Sequence, residues 1–443
     1  MRITAIRTPG LGDNTYVVIH EGQAIIVDPQ RDIDRFLFVL DQSNVELRYV
    51  LETHIHNDYV SGGRELARRT GAELVLPASA AAPFDHLPAF HNEAIGAGTW
   101  KLRPIHTPGH TPEHLSYLAE IEGDPIAVFS GGSLLVGSAG RPDLLGMHRA
   151  RTLAHLQYIS VNRLAELPDD VGLYPTHGAG SFCTASDAGS TTSTIGAERR
   201  TNPVLQYADL DSFIDGQLAG LQPFPAYYAH MGPTNLAGPE PVQHHNLSEL
   251  SVDGIGHAAV VDVRPAEQFA EGHLAGAIGI PFGDDISVWA GWVLPFNTEI
   301  VIVADRDQDV DEVHRQFSRI GFDQVRGVVF DLPDAVDLVS YETVRLGEFI
   351  RRLEIGQIQQ IVDVRQPSEW DSGHIEGSRY CYVPDLYDSV ESLDASTEAW
   401  LLCASGHRST IAAAALERSG LTPAVLIGHG VPDVMQRGFT TVS

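Results

Sequence analysis

The sequence predicts an α/β multidomain protein, and three observations carry that prediction. Its 443 residues suggest about three domains on length alone. The C-terminal half is a duplication: Val261-Asp262-Val263-Arg264-Pro265 returns as Val362-Asp363-Val364-Arg365-Gln366, each followed by Glu, an aromatic and then Gly-His. A period of roughly one hundred residues marks repeated domains, being too long for a solenoid repeat. The N-terminal half instead places histidines in turns that close apolar runs.

In that half, Val50-Leu51-Glu52 reads as a strand delivering Thr53-His54-Ile55-His56-Asn57-Asp58-Tyr59 onto a loop, with a helix from about Gly63 to Arg69. His54 and His56, two residues apart in extended chain, point the same way, as metal ligands should. His106-Thr107-Pro108-Gly109-His110 and Tyr174-Pro175-Thr176-His177-Gly178 repeat the pattern of a histidine after an apolar run. A lone histidine is ordinarily core or surface. Together they point to a metal, and a family resemblance implies His54, His56 and His110 as its ligands, with Asp28, Asp58, Asp143 and His177 in weaker second-site or supporting roles. Arg141 and Cys183 are candidate substrate contacts, read against a structural arginine and an ordinary buried thiol.

A connection rich in proline and glycine follows, from Pro223-Phe224-Pro225 through Pro239-Glu240-Pro241. The expected boundaries are 1–230 for the metal domain, 231–246 for the linker, and 247–339 and 340–443 for the two copies. Continuous runs such as Ala259-Val260-Val261 and Ile300-Val301-Ile302-Val303 predict parallel strands covered on both faces. Leu332-Pro333-Asp334 in the first copy matches Val431-Pro432-Asp433 in the second.

The second copy contains Cys403-Ala404-Ser405-Gly406-His407-Arg408-Ser409, between Trp400-Leu401-Leu402 and an alanine-rich helical stretch from Ile411 to Leu416. A cysteine at a strand-to-helix junction meets unpaired amides and the positive end of the helix dipole, which favour the thiolate. Gly406 lets the loop curl, and Arg408 adds a fixed positive charge. A small buried core cysteine is the plainer reading. Cysteine phosphatases space cysteine and arginine by five residues. Here four intervene, so the loop is too small for phosphate. Counting back from Gly321, aligned with Gly420, sets Ala304 opposite Cys403, so the first copy has no sulfur to offer.

The Asp-Val-Arg, Gly-His and cysteine-loop elements resemble rhodaneses, sulfurtransferases that carry sulfur as a cysteine persulfide. The resemblance implies Cys403 and Arg408 as catalytic residues, a persulfide loop of Ala404, Ser405, Gly406, His407 and Ser409, and a first copy that is a pseudo-rhodanese. The N-terminal motifs, with Asn14-Thr15-Tyr16, Val27-Asp28-Pro29 and Gly140-Arg141-Pro142-Asp143-Leu144, resemble the metallo-β-lactamase superfamily, specifically its persulfide dioxygenase branch. That implies an αββα sandwich followed by two rhodanese-like α/β domains, one Fe(II), and substrates comprising a low-molecular-weight persulfide, O2 and sulfite or thiosulfate. In that branch two histidines, here His54 and His110, and a carboxylate hold the iron. The carboxylate position is Gly132 in Phe129-Ser130-Gly131-Gly132-Ser133, and Tyr59 stands where dinuclear members have histidine. His56, Asp58 or Asp143 is left to fill the third position, and a three-histidine site suits zinc as the alternative metal. A zinc thioester hydrolase is disfavoured, lacking two ligands. A chain in which only Cys403 reacts, with the metal domain as scaffold, is the competing reading.

Composition fits this expectation. A formal charge of −29 argues against nucleic-acid and anionic-membrane partners. The three widely spaced cysteines argue against a disulfide framework and for a reducing cytoplasm. A homo-oligomer stays open.

Overall fold

The computed structural model describes residues 1–96, 99–185, 190–242, 246–332, 337–388, 390 and 393–439. Pro333 and Asp334 of the repeated Pro-Asp pair therefore lie outside the described residues. The chain divides into two compact units: Met1–Gln243 with Ser318–Gly321, and His244–Phe317 with Phe322–Ser443.

The first unit is built from two sheets. One runs in the order Arg2–Thr8, Asp13–His20, Gln23–Val27, Glu46–Leu51, Glu73–Pro77, Leu87–Ala89, antiparallel at its start and parallel from Gln23–Val27 onward. The other runs Ser193–Thr194, Gly172–Pro175, Asp124–Gly131, Leu115–Ile121, Trp100–His106. Side chains alternate along each strand, and this alternation builds the layers. Tyr16, Val18, Ile25, Val27 and Leu51 face Leu102, Leu115, Tyr117 and Phe129 between the sheets. Val17, Ala24, Ile26 and Val50 face Phe36 and Leu40 of the helix Asp34–Ser43 and Leu66 of Gly63–Thr70. On the far side, Leu118 and Val128 pack against Ala154, Val161 and Leu164 of the helix Met147–Ala165. Three apolar layers between four structural ones make the αββα sandwich.

One expectation is corrected here. Residues 231–237, assigned to a linker, belong to the helix Tyr228–Ala237. Met231 and Asn235 are buried in it, and Asn235 Nδ2 donates to the carbonyls of His56 and Tyr59, both at 2.8 Å. The proline and glycine content suggested a spacer, whereas these contacts hold the segment as part of the site's support.

The second unit contains two related parallel sheets. In the first copy the order is Ile278–Gly279, Ala259–Asp262, Ile300–Ala304, Val325–Phe330. In the second it is Glu342–Val344, Pro423–Leu426, Ala399–Leu402, Gln360–Asp363, Arg379–Tyr380. The repeated motifs brace equivalent places. Arg264 clasps Asp262 and donates to Gly272 O at 2.9 Å, and Arg365 clasps Asp363 and donates to Gly373 O at 2.8 Å. His273 stacks on Phe269 at 3.8 Å between centroids, and His374 on Trp370 at 3.6 Å. Register equates the copies residue by residue: Asp262 pairs with Val303, and Asp363 with Leu402. The next residues are Ala304 and Cys403, so alanine occupies the cysteine's structural place.

Among the described residues no helix is long and apolar enough to cross a membrane.

Candidate metal centre and sulfur-carrying loop

The metal-domain residues gather because each follows the C-terminal end of a strand. His54, His56 and Asp58 come after Glu46–Leu51, His110 after Trp100–His106, Gly132 after Asp124–Gly131, and His177 after Gly172–Pro175. All are buried. The ligating atoms of His54, His110 and His177 lie within 4.8 Å of one another.

Hydrogen bonds on the opposite ring nitrogens fix how these imidazoles present themselves. The Thr53 hydroxyl donates to Asp28 Oδ2 at 2.7 Å, so its oxygen accepts from His54 Nδ1–H at 2.9 Å. His110 Nδ1–H donates to the Arg141 carbonyl at 2.9 Å, and His177 Nδ1–H to Asp13 Oδ1 at 2.8 Å. Each ring thus turns Nε2 inward, the arrangement by which outer partners orient metal-binding histidines. Among the described residues His110 Nε2 is buried with no hydrogen-bond partner, and His54 Nε2 lies 3.5 Å from His177 Nε2. Burial, with the neighbouring imidazoles, holds His54 well below its ordinary 6.5 and His110 down to about 3. For His177 burial also pulls downward, but Asp58 and Asp13 outweigh it and raise the ring to about 9. The buried lone pairs of His54 and His110 are costly alone, and a divalent cation that displaced the His177 proton would satisfy all three nitrogens. This donor set fits one.

His56 stands apart from the His54, His110 and His177 group and belongs to two other clusters that could hold a metal, one with Asp58 and His177 and one with Asp28 and Glu52. Its Nε2 faces Asp28 Oδ1 at 3.2 Å, Glu52 Oε2 at 3.3 Å and the Tyr59 hydroxyl at 3.0 Å. Burial opposes protonation of this ring, but Asp28 and Glu52 raise it well above its ordinary value. His56 Nδ1 is 3.9 Å from Asp58 Oδ1, and His177 stands beside His54 and His110. Two carboxylates drawing on one edge of the ring explain the difference. Asp28 supports His54 through Thr53, and the hydroxyl of Thr176 also donates to it.

Arg141 and Cys183 take the structural reading of the two that the sequence left open. Arg141 and Asp143 form a buried ion pair, with Nε–Oδ1 2.7 Å and Nη2–Oδ2 2.8 Å, and the guanidinium lies 4.5 Å from the Phe224 ring centroid. Arg141 is therefore engaged within the fold, and both Asp143 oxygens accept from its guanidinium. Cys183 is fully buried; burial, with Asp58 next, keeps the thiol well above its ordinary value and so protonated.

Sequence reasoning missed Asp13 and His114. Asp13 directly precedes the Asn14-Thr15-Tyr16 element, but only the chain's return at His177 shows its purpose. His114 Nε2 accepts from Gly132 N–H at 2.9 Å. Gly132 packs so closely that an added Cβ would sit 2.3 Å from His110 Cδ2.

In the second unit, Cys403 follows the strand Ala399–Leu402, and the helix His407–Arg418 opens after it. The Gly406 amide donates to Cys403 Sγ at 3.1 Å and the Ser405 amide at 3.5 Å. Gly406 makes the curl possible at φ 99°, a left-handed conformation that favours glycine. Ala404 and Ser405 are exposed, Ser409 is buried in the first helical turn, and Cys403 is only 1% exposed. The sulfur thus sits at the floor of the loop instead of at its rim. Arg408 does not act as a free charge: Nη2 donates to Glu369 Oε1 at 2.9 Å and Nη1 contacts the other oxygen.

Residues 8–177 match the metallo-beta-lactamase superfamily, and residues 246–328 and 346–435 match the rhodanese-like domain. Curated relatives include the hydroxyacylglutathione hydrolase of Glaesserella parasuis serovar 5, 29% identical over 239 residues, covering 48% of this chain and 96% of that protein. That of Methylobacillus flagellatus is 29% identical over 171 residues, covering 37% of this chain and 62% of that protein. The chain thus spans about three-fifths of the latter's length. Among solved structures, a metallo-beta-lactamase from Staphylococcus aureus subsp. aureus COL aligns at 28% identity with a TM-score of 0.67, covering 74% of this chain and 99% of that one.

Proposed function

From a chain with an N-terminal metallo-β-lactamase domain and two rhodanese-like domains after it, we propose a sulfur-metabolism enzyme that oxidises a low-molecular-weight persulfide and transfers sulfane sulfur through Cys403. The observation that carries the transfer step is the Gly406 amide 3.1 Å from Cys403 Sγ at the opening of a helix. That amide and the helix N-terminus stabilise negative charge on sulfur, both in the thiolate and in the persulfide anion. With thiosulfate as donor, the Cys403 thiolate attacks the outer sulfur. One S–S bond forms, the S–S bond of thiosulfate breaks, and sulfite leaves with the electron pair.

At the N-terminal site, His54, His110 and His177 would hold one Fe(II), or zinc as the alternative. Iron there would supply open coordination positions and O2 chemistry that protein side chains lack. Thr53, Arg141 and Asp13 set the ring orientations, and surrounding burial excludes bulk water. The overall balance is persulfide plus O2 plus water giving thiol plus sulfite. Sulfite formed this way could accept sulfur from Cys403, so one chain would carry both steps.

Thioester hydrolysis is the second reading, favoured by the relatives' names and by the His56, Asp58 and His177 group. Against it, Gly132 and Tyr59 replace the bridging carboxylate and a histidine of a two-metal site, and Tyr59 stacks on His56 at 4.3 Å. Protein purified without oxygen separates these readings by metal content, O2 uptake on glutathione persulfide, and hydrolysis of a glutathione thioester. Iron with uptake is expected; zinc with thioester turnover would overturn the oxidation reading. Absence of metal and of both activities would leave the N-terminal domain as scaffold. Cys403→Ser should abolish sulfur transfer and spare O2 uptake, and transfer persisting in that variant would remove Cys403 from the mechanism.

A further inference from the structure

The first copy has alanine in place of the reactive cysteine, yet it reaches the Cys403 loop within the same compact unit. Among the described residues, Arg408, His407 and Arg345 stand beside that loop. Arg408 is held by Glu369 of its own copy. His407, the first residue of the helix, places Nε2 3.5 Å from Asp285 Oδ2 of the first copy. That oxygen is fixed by Trp289, whose Nε1–H donates to it at 2.9 Å. Arg345 lies against Gly428, where an added Cβ would be 2.6 Å from its Nη1, and the Gly428 amide donates to Ser405 O at 3.0 Å. Arg345 in turn pairs with Glu267 of the first copy at 3.0 Å.

Each base therefore faces a carboxylate, and the cysteine-less copy supplies two of the three. Burial, with the neighbouring Arg408, lowers His407 against the opposing pull of Asp285. Asp285 and Glu267 are 41% and 48% exposed, so their field reaches solvent.

We infer that the first copy sets the charge class of the molecules that exchange sulfur with Cys403: Glu267 and Asp285 cancel the cationic field of the loop and favour thiols, whose reacting thiolate has a single charge, over doubly charged inorganic anions. This rests on Cys403 being the sulfur carrier. Discharge to sulfite breaks the persulfide S–S bond, leaves the electron pair on the Cys403 thiolate and forms the S–S bond of thiosulfate. Discharge to a thiol moves the same outer sulfur and yields an organic persulfide.

The test uses the full chain loaded with one sulfur on Cys403, followed by mass spectrometry, and discharged with sulfite or with dithiothreitol. Asp285→Asn and Glu267→Gln should each raise the sulfite rate by up to about fivefold, raise the dithiothreitol rate less because its reacting thiolate has a single charge, and lose the gain in high salt. Glu299→Gln, beyond the opposite end of the Ile300–Ala304 strand, should change neither rate. An unchanged sulfite-to-dithiothreitol ratio in both loop variants, or an equal change in the Glu299 variant, overturns the inference while the carrier reading stands. Failure of the wild type to load sulfur on Cys403 overturns the carrier reading and this inference together.

Discussion

Replacing Gly132 with aspartate would restore the carboxylate that the resemblance to persulfide dioxygenases implies, but the structure predicts that the change weakens the site. A Cβ at position 132 would lie 2.3 Å from His110 Cδ2 and 2.8 Å from both Cγ and Nε2 of that ring. The ring cannot retreat freely, because its Nδ1 is bonded to the Arg141 carbonyl at 2.9 Å. Any side chain at 132 must push His110 from its place beside His54 and His177. Overpacking of this kind costs about 1–3 kcal/mol, which for a domain of this size lowers its melting transition by about 2–12 °C. Calorimetry and metal analysis of Gly132→Ala and Gly132→Asp check both parts. Alanine isolates the steric effect, and aspartate adds the ligand. Both should melt earlier and bind less metal than wild type. A Gly132→Asp variant that melts unchanged and binds iron more tightly would refute the packing argument.

Other consequences are open to measurement. Asp13→Asn removes the carboxylate that orients His177 and should weaken metal affinity by about 10–100-fold, read by competition with a chelating dye. Gly406→Ala places a side chain at φ 99° with its Cβ 3.0 Å from Leu426 O; a cost of about 1–2 kcal/mol should appear as lost stability and slower sulfur transfer. Burial pushes Glu369 up, but Arg408 outweighs it and holds the carboxyl below its ordinary 4.5. The pair's contribution is therefore present above pH 4.5 and is lost as pH falls through the folded value. Unfolding of wild type and Glu369→Gln across that range should show a stability gap that closes in acid.

Local sequence was sufficient wherever one segment contains its own chemistry. The Cys403 loop, its glycine and its helix could be read because strand, turn and helix are contiguous, and the Asp-Val-Arg and Gly-His repeats showed the duplication directly. Ala304 was found by counting, and strand register places it in the same position. His54 and His110 stood out from turns that end apolar strands, but the residue grouped with them did not. The fold sets His177 beside them and His56 apart, because Asp28 and Glu52 draw one edge of the His56 ring while Asp13 turns His177 inward from a strand 164 residues away in sequence. The same holds for Arg408, whose apparent free charge disappears once Glu369, 39 residues away in sequence, is brought beside it. Residue type and local turn geometry determine which groups can react. Ring orientation and net charge are set by neighbours from distant segments, and only the folded chain brings those into contact.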